Sequence, residues 1–411
     1  RTHMKGSPMG STLASIDATL KEVYEGDVRR QLPDEIVALK RVTRSSEGVS
    51  NETNGKYVTF PVHVRRNGGL GSRNESEALP TAGAQGYAAA RLALKSDYLG
   101  IELTGHAIDM SDTNPKAFAK SLDEEMERGR IDFKKDLNRQ IYGNGSGAIT
   151  TVRAVVTSNV IPVVDARLFW VGSHQVDIVT APSTVVAVNR TVTARDLTPG
   201  ANTITLSGAA IGPTVVGQLI TLTGSVNREI TGLGAIIANS GVLYNINPAT
   251  EPEWTSEIDS NGGTARALSE GLMLRLVDRI RGRGGKTSAI LTDDGSFRAY
   301  WALLSQLRGF TNTTKFDGGY TGLSFHVGDT EVPVVADFDA PLGTMHFLNE
   351  DDITFYRDED IHWLDRDGSI LKQKVDAAGR YDIWQAHMVE RHELGIGRRN
   401  THGKITDIIG G

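Results

Sequence analysis

The feature that most constrains this chain is an order of parts. Residues 55–110 read as a long hairpin with a Gly/Ser/Arg tip, and one charged helix follows over 114–142. The helix stops at Tyr142-Gly143-Asn144-Gly145-Ser146-Gly147. An elongated hairpin beside a long helix leaves more surface than one compact domain covers, and neighbouring copies ordinarily cover such surface.

The hairpin reading starts at 57–64, Tyr-Val-Thr-Phe-Pro-Val-His-Val, an alternating and β-branched run. Pro61 lacks a backbone N–H, so this strand should lie at an edge or carry a bulge. Residues 65–86 form the tip, with glycines at 68, 69, 71, 83 and 86, and residues 88–109 return as a strand. A tip this long and polar is unusual in a closed domain and common where it reaches another subunit. In the helix, Asn114 is a good N-cap and Pro115 suits the first helical position. Phe118, Leu122, Met126, Phe133, Leu137 and Ile141 recur at three- to four-residue spacing with one gap and make an apolar stripe, along a helix about 40 Å long. Lys120, Asp123, Glu124, Glu127, Lys134 and Asp136 occupy the other face. They read as a solvated face, with subunit contact as the alternative.

Upstream, residues 1–18 are rich in Gly, Ser, Thr and Met and read as a tail. A helix is expected over 15–25, with Gly26 as its stop. Residues 27–42 continue as an arm broken by Pro33. Its Leu32, Ile36, Val37 and Leu39 argue that it docks, either on its own body or on a neighbour.

Downstream, the composition changes over 148–228, where Val, Thr, Ile, Ala and Gly dominate and Lys is absent. Short strands are expected at 152–156, 175–179, 184–188, 203–206 and 219–222, as in a small all-β module set into a parent chain. From residue 230 helical and strand patterns mix. Leu268, Leu272, Leu276, Val277 and Ile280 mark an amphipathic helix with Ser269 near its start. A buried strand at 288–292, a helix at 297–307 and strands at 323–327, 331–336, 344–348, 353–356, 361–364 and 381–393 follow.

At 411 residues the chain suggests two or three domains. No apolar run is long enough to span a bilayer and no secretory signal is seen, which gives no membrane partner. The chain opens Arg1-Thr2-His3-Met4, compatible with trimming or with a start set otherwise. Cysteine is absent, which excludes disulfides, thiolate chemistry and Cys-based zinc sites. The formal net charge of −6 argues against a dedicated DNA reader, but not against a container that surrounds DNA.

Candidate catalytic motifs fail on spacing. Gly282-Arg283-Gly284-Gly285-Lys286-Thr287 resembles the end of a phosphate-binding loop, but Ile280 stands where that loop needs Gly, and the order is helix then strand. Gly143 to Gly147 is a helix stop without a preceding strand. Asp365-Arg366-Asp367-Gly368 evokes a calcium loop, yet its Gly falls at position four and Asp376 stands at twelve, so it reads as a polar turn. Glu350-Asp351-Asp352 and Asp358-Glu359-Asp360 read as solvated loops, as a weak cation site or as partners for a neighbour's basic residues. His387 and His392, five apart on one strand, face opposite ways and cannot share a metal. No nucleophile elbow or zinc-protease motif occurs, no carboxylate pair is marked out, and the five Trp are dispersed as core or interface anchors. No enzyme activity, catalytic residue, metal or cofactor is expected. The basic tip residues Arg65, Arg66 and Arg73 read either as a solvated loop or as an intersubunit clamp on carboxylates.

Several local marks in order resemble the major capsid proteins of tailed bacteriophages, the Hong Kong 97-type fold. They are the Asn114-Pro115 helix start, the helix end Leu137-Asn138-Arg139-Gln140-Ile141-Tyr142-Gly143-Asn144-Gly145, Glu229-Ile230-Thr231-Gly232-Leu233, Thr287-Ser288-Ala289-Ile290-Leu291-Thr292 and Val332-Pro333-Val334-Val335. The resemblance covers nearly the whole chain apart from the insert. It implies an α+β fold with an all-β insertion domain. Its parts would be an N-terminal arm (1–46), an extended hairpin loop (47–112), the spine helix (113–147), the insertion (148–228), peripheral-domain residues (229–267), an axial domain (268–340), and returning peripheral strands with the C-terminal tail (341–411). It further implies a structural protein of the virion, assembled in the bacterial host cytoplasm. Copies would form pentamers and hexamers and close an icosahedral shell around double-stranded DNA. Arg65, Arg66, Arg73, Asp358, Glu359 and Asp360 are the expected intersubunit contacts. Decoration, portal, scaffolding and protease proteins are the further partners such a role admits. Some members cross-link a hairpin-tip Lys to a neighbour's Asn; here 65–86 has no Lys, with Lys56 and Lys95 lower down, so no such mesh is expected. An encapsulin-like compartment with an enzyme cargo is the alternative within the fold. A secreted carbohydrate-binding protein or glycosidase and a phage tail or baseplate protein are rivals outside it. The first lacks an export signal and aligned aromatics. The second would form a tube or ring of fixed symmetry.

Overall fold

A computed structural model describes residues 36–45, 57–105, 115–198, 200–306, 313–315, 321–328, 330–365, 368–377 and 379–410. The expected tail and helix over 1–25, and Asn114, lie outside these residues. The chain divides into two compact units, one holding residues 96–137 and 357–391, the other 37–95, 138–356 and 392–411.

In the first unit, helix Pro115–Tyr142 contributes its residues up to 137. Phe133 and Leu137 of the expected stripe are buried. Strand Lys95–Thr104 pairs with the long strand Gly379–Ile396. That pairing corrects the hairpin reading. The return strand is not continuous to 109: it ends at Ala93, and the following strand joins a different sheet. Gly129 permits the packing on the helix, because a Cβ there would meet Leu99 Cδ2 at 2.8 Å and Met388 Cε at 3.4 Å. Glu102 fixes the sheet with Lys374 Nζ at 2.8 Å and a hydrogen bond from Gln385 Nε2. Strand Lys372–Asp376, which the pattern did not signal, pairs antiparallel with the long strand, Lys372 opposite Gln385 and Asp376 opposite Gly379.

The second unit contains the hairpin proper. Strand Tyr57–Arg65 pairs antiparallel with Gly86–Ala93, Tyr57 opposite Ala93 and Pro61 opposite Ala89. Both are edges of a two-stranded sheet, so Pro61 needs no bulge; the register slips instead between His63 and Arg65. Val58, Val62, Val64, Ala90 and Leu92 are buried, giving the hairpin one apolar face. Phe60 stacks on Tyr356 at 6.5 Å, and Arg91 N donates to Tyr244 O at 3.0 Å. The hairpin base therefore has more to pack on than its sequence suggested.

The seven-stranded mixed sheet of this unit runs in the order 257–259, 403–405, 345–348, 289–292, 330–336, 321–327, 313–315. Its central strand Ala289–Thr292 is buried on both faces, as an uninterrupted apolar run requires. Two helices flank it. Glu270–Gly282 is capped by Ser269, whose Oγ accepts from Leu272 N at 3.3 Å. Asp294–Gln306 is preceded by Asp293, whose carboxylate accepts from Gly295 N and Ser296 N. Leu272, Leu276 and Ile280 pack with Tyr300, Val334, Phe347 and Ile405 in one core. The Gly282 to Thr287 run is the turn between helix and strand, with Gly284 in the left-handed region at φ 78°.

The all-β segment is a six-stranded sheet in the order 148–151, 219–222, 175–180, 184–196, 203–206, 160–162. The expected strand 152–156 is displaced to 148–151, and 160–162 is an additional strand. The ends of the sheet meet: Arg153 N donates to Pro162 O at 2.9 Å, Val164 N to Thr151 O at 3.0 Å, and Val152 bridges Val163. The sheet is thereby closed into a small barrel, which removes its free edges. Inside lie Ile149, Val163, Phe169, Val176, Ile178, Val192, Ile204 and Ile220.

Candidate functional site

The hairpin tip is held together by its own polar groups. Asn67 Oδ1 accepts from Gly69 N at 2.7 Å, and Asn67 Nδ2 donates to Gly83 O at 3.0 Å, tying the two legs together. Gly69 and Gly83 are needed there: a Cβ on Gly83 would sit 2.8 Å from Gly69 N. Beyond this tie Leu70 is 95% exposed and Leu79 86%, two large apolar side chains presented to solvent.

The three expected tip arginines have different fates. Arg65 makes a bidentate pair with Glu251, Nη2 to Oε1 at 2.8 Å and Nε to Oε2 at 3.0 Å. Arg73 donates to Ala78 O at 3.0 Å and to Ser72 O at 2.9 Å, stiffening the loop. Arg66 is exposed and meets no hydrogen-bond or ion-pair partner among the described residues. In the other unit, Asp358 pairs with Arg391 at 3.4 Å, Asp360 with Arg357 at 2.8 Å, and Glu359 lies 3.5 Å from His362. Arg65 and the 358–360 carboxylates thus already have neighbours within their own chain.

The neighbouring acidic run does something the sequence did not signal. Glu350 holds Arg41 at 2.7 Å and accepts from Ser288 Oγ at 3.0 Å. Asp352 takes Arg398 at 3.0 Å and Thr401 Oγ1 at 2.8 Å, while Asp351 meets Lys286 at the surface. Of the three, Glu350 holds the segment at residue 41, while Asp351 and Asp352 tie together parts of the body around it. Residues 37–45 dock on their own body, whereas residues 27–35 of the expected arm lie outside the described residues. The short helix Ala38–Arg41 has its free N–H groups satisfied by distant residues: Ala38 N by Asp337 Oδ2 at 3.1 Å and Leu39 N by Asn138 Oδ1 at 3.0 Å. Strand Thr43–Ser45 then adds in parallel to Ile353–Arg357, Thr43 opposite Thr354.

The acceptors belong to a buried polar clip at the end of the long helix. Asn138 Nδ2 reaches Asp339 Oδ2 at 2.6 Å and Asp337 Oδ2 at 3.1 Å. Tyr142 OH donates to Asp337 Oδ2 at 2.9 Å. Burial and the Asp337 carboxylate push the Tyr142 phenol well above its ordinary range. One residue along, Arg139 forms a buried fork with Glu229 at 2.7 and 3.1 Å. The helix's last turn is therefore buried all round, and its polar residues there are not a solvated face. The run Asn138-Arg139-Gln140 set between Leu137 and Ile141 was the available signal.

Arg399 organises the adjoining loop. It is almost wholly buried and donates to five backbone carbonyls, those of Ala235, Ile236, Ser240, Gly241 and Trp254, at 2.9–3.2 Å. Burial pulls its pKa down to about 10. Elsewhere Asp365 Oδ1 accepts from Gly368 N at 2.7 Å, a turn. His387 is exposed and His392 buried, and among the described residues no group of three His, Asp or Glu could hold a metal ion. No helix among them is long and apolar enough to cross a membrane.

No protein-family model and no curated protein sequence matches the chain. Solved structures do. The cyanophage A-1(L) capsid asymmetric unit superposes over 95% of this chain and 99% of its own, at a TM-score of 0.56 and 15% identity. Mycobacterium phage Bobi follows at 0.47 and 11%, covering 97% and 99%. The holo-SrpI encapsulin complex of Synechococcus elongatus stands at 0.45 and 8%, covering 98% and 97%. The fold assignment rests on the first. The chain has the α+β fold of the tailed-phage major capsid proteins, the Hong Kong 97-type fold.

Proposed function

We propose that this chain is a structural shell subunit, the major capsid protein of a tailed bacteriophage. Copies associate as pentamers and hexamers and close an icosahedral shell around double-stranded DNA in the host cytoplasm. The observation that carries the reading is the superposition on a phage capsid subunit over 95% of the chain. The exposed hairpin tip with Leu70 and Leu79 supports it, because such groups call for a covering neighbour. In this reading 1–46 is the arm, 47–112 the loop that overlaps the next subunit, and 148–228 an insertion in the parent fold. The 113–147 helix, 229–267 and the strands from 341 are peripheral, and 268–340 is axial. Arg66, exposed at the tip and without a partner among the described residues, is the contact best placed to take a neighbour's carboxylate. Arg65, Arg73, Asp358, Glu359 and Asp360 would join it by exchanging their internal partners. Decoration, portal, scaffolding and protease proteins are further partners of such a shell.

The test is to sediment particles from cells expressing the chain, digest with nuclease and extract what is protected. Protected double-stranded DNA in particles from infected or induced cells supports a virion shell. Particles that instead hold one host enzyme would favour the encapsulin-like compartment. A protein that stays a monomer or small ring under all assembly conditions contradicts both.

A further inference from the structure

One end of the barrel carries an apolar patch that the shell reading does not by itself assign. Val155, Val215 and Val216 are 62%, 54% and 60% exposed, with Val185 and Val186 beside them at 44% and 42%. Hydrogen bonds tie the loops that bear them into one surface. Val156 N donates to Thr214 Oγ1 at 2.9 Å and Val215 N to Gln218 Oε1 at 2.9 Å. Gln218 Nε2 donates to Thr180 Oγ1 at 3.0 Å, and Thr180 lies opposite Thr184 in the barrel register. The segments 154–160, 180–188 and 211–222 contain no charged residue, in a chain that is 23% charged. Closure of the barrel leaves no strand edge for a partner to extend, so whatever binds here binds through side chains.

We propose that this end of the barrel docks against the same end of the barrel in a neighbouring copy of the chain. The proposal rests on the shell reading. A like-to-like contact sets each residue near its own counterpart, so any charge at its centre would meet its like. The absence of charge over all three segments fits that requirement. Size points the same way. Five part-exposed valines present on the order of a few hundred Å², less than the roughly 800 Å² per partner of a stable interface. Such a contact does not hold two free copies together. It forms where other contacts already keep the copies close, as in a shell.

Because the chain has no cysteine, Val216→Cys introduces a single thiol. Particles of this variant, oxidised while intact, should yield disulfide-linked dimers as the main product. Dilute dissociated subunits should not, and Ala194→Cys, at an exposed barrel position away from the patch, should stay monomeric in both. Intact, oxidised particles whose Val216→Cys chains remain monomeric overturn the proposal. Full reaction of that thiol with maleimide would then show an uncovered patch, and protection without dimers would show a different occupant. If Val216→Cys does not assemble, Val155→Cys on the adjoining loop is read the same way. Failure of the unaltered chain to form particles is a separate outcome that removes the shell reading itself.

Discussion

Glu393 sits in the long strand, nearly fully buried, accepting from Thr231 N at 2.7 Å and Leu394 N at 3.1 Å. Desolvation lifts its carboxyl from the ordinary 4.5 to about 7; the two backbone donors, Lys95 and His392 pull the other way and only in part. An unfolded chain ionises this group near 4.5, whereas the folded chain keeps the proton until about pH 7. Folding therefore carries a cost that is absent below pH 4.5, grows up to 7 and stays constant above. At 1.36 kcal/mol per pH unit the rise from 4.5 to 7 amounts to about 3.4 kcal/mol. Glu393→Gln removes the ionisation and keeps an acceptor for both N–H groups. Its new amide N–H₂ costs about 1–3 kcal/mol if unpaired, equally at every pH. The stability change of the variant at pH 8 minus that at pH 4.5 is then free of the amide cost, and should favour Gln by about 3 kcal/mol. Urea unfolding of dissociated subunits at the two pH values measures this difference. An equal effect at both would refute the burial argument, and a variant relatively worse at pH 8 would reverse its sign.

Other expectations follow from the buried polar groups. Burial pulls His346 down from 6.5 to about 3 and His402 to about 4, so the stability of the neutral folded form is present above 6.5 and is lost as pH falls towards 4. His346→Phe should flatten the loss between pH 6 and 4 by about 1.4 kcal/mol per pH unit in denaturant titrations. Asn138→Ala strips Leu39 N, Asp337 and Asp339 of one partner each. It should cost about 2–4 kcal/mol and speed proteolytic cleavage within 36–45, which N-terminal sequencing of the fragments would locate. Arg399→Met leaves five carbonyls without their donor and should lower stability by about 3–5 kcal/mol, read from the shift in urea midpoint. Arg66→Ala should leave subunit unfolding within about 0.5 kcal/mol of the unaltered chain yet lower the salt or temperature at which particles come apart.

What the sequence revealed was local. The long helix starts at Pro115 and ends at Tyr142 because a stripe, a first-turn proline and Gly143 are signals carried by the segment itself. The buried strand Ala289–Thr292 and the Ser269 cap are legible for the same reason. The fate of strand Lys95–Thr104 was not, because alternation shows that a strand exists and not which sheet receives it. The arm's anchor was hidden by distance: Asn138 and Asp337 stand 199 positions apart, and no local pattern pairs them. Arg399 was invisible for a third reason. Its partners are backbone carbonyls, which every sequence has everywhere. At the hairpin tip, arginines in a Gly/Asn/Ser setting were conspicuous, yet the pairing of Arg65 with Glu251 depends on a turn far along the chain.

The central claim is that copies of this chain build a closed shell. Electron microscopy of the purified protein, taken through assembly conditions, tests it most directly. The account predicts closed polyhedral particles in which five- and six-membered rings share one subunit fold, each hairpin tip lying on a neighbour. Monomers throughout, or tubes or rings of a single fixed symmetry, would contradict it.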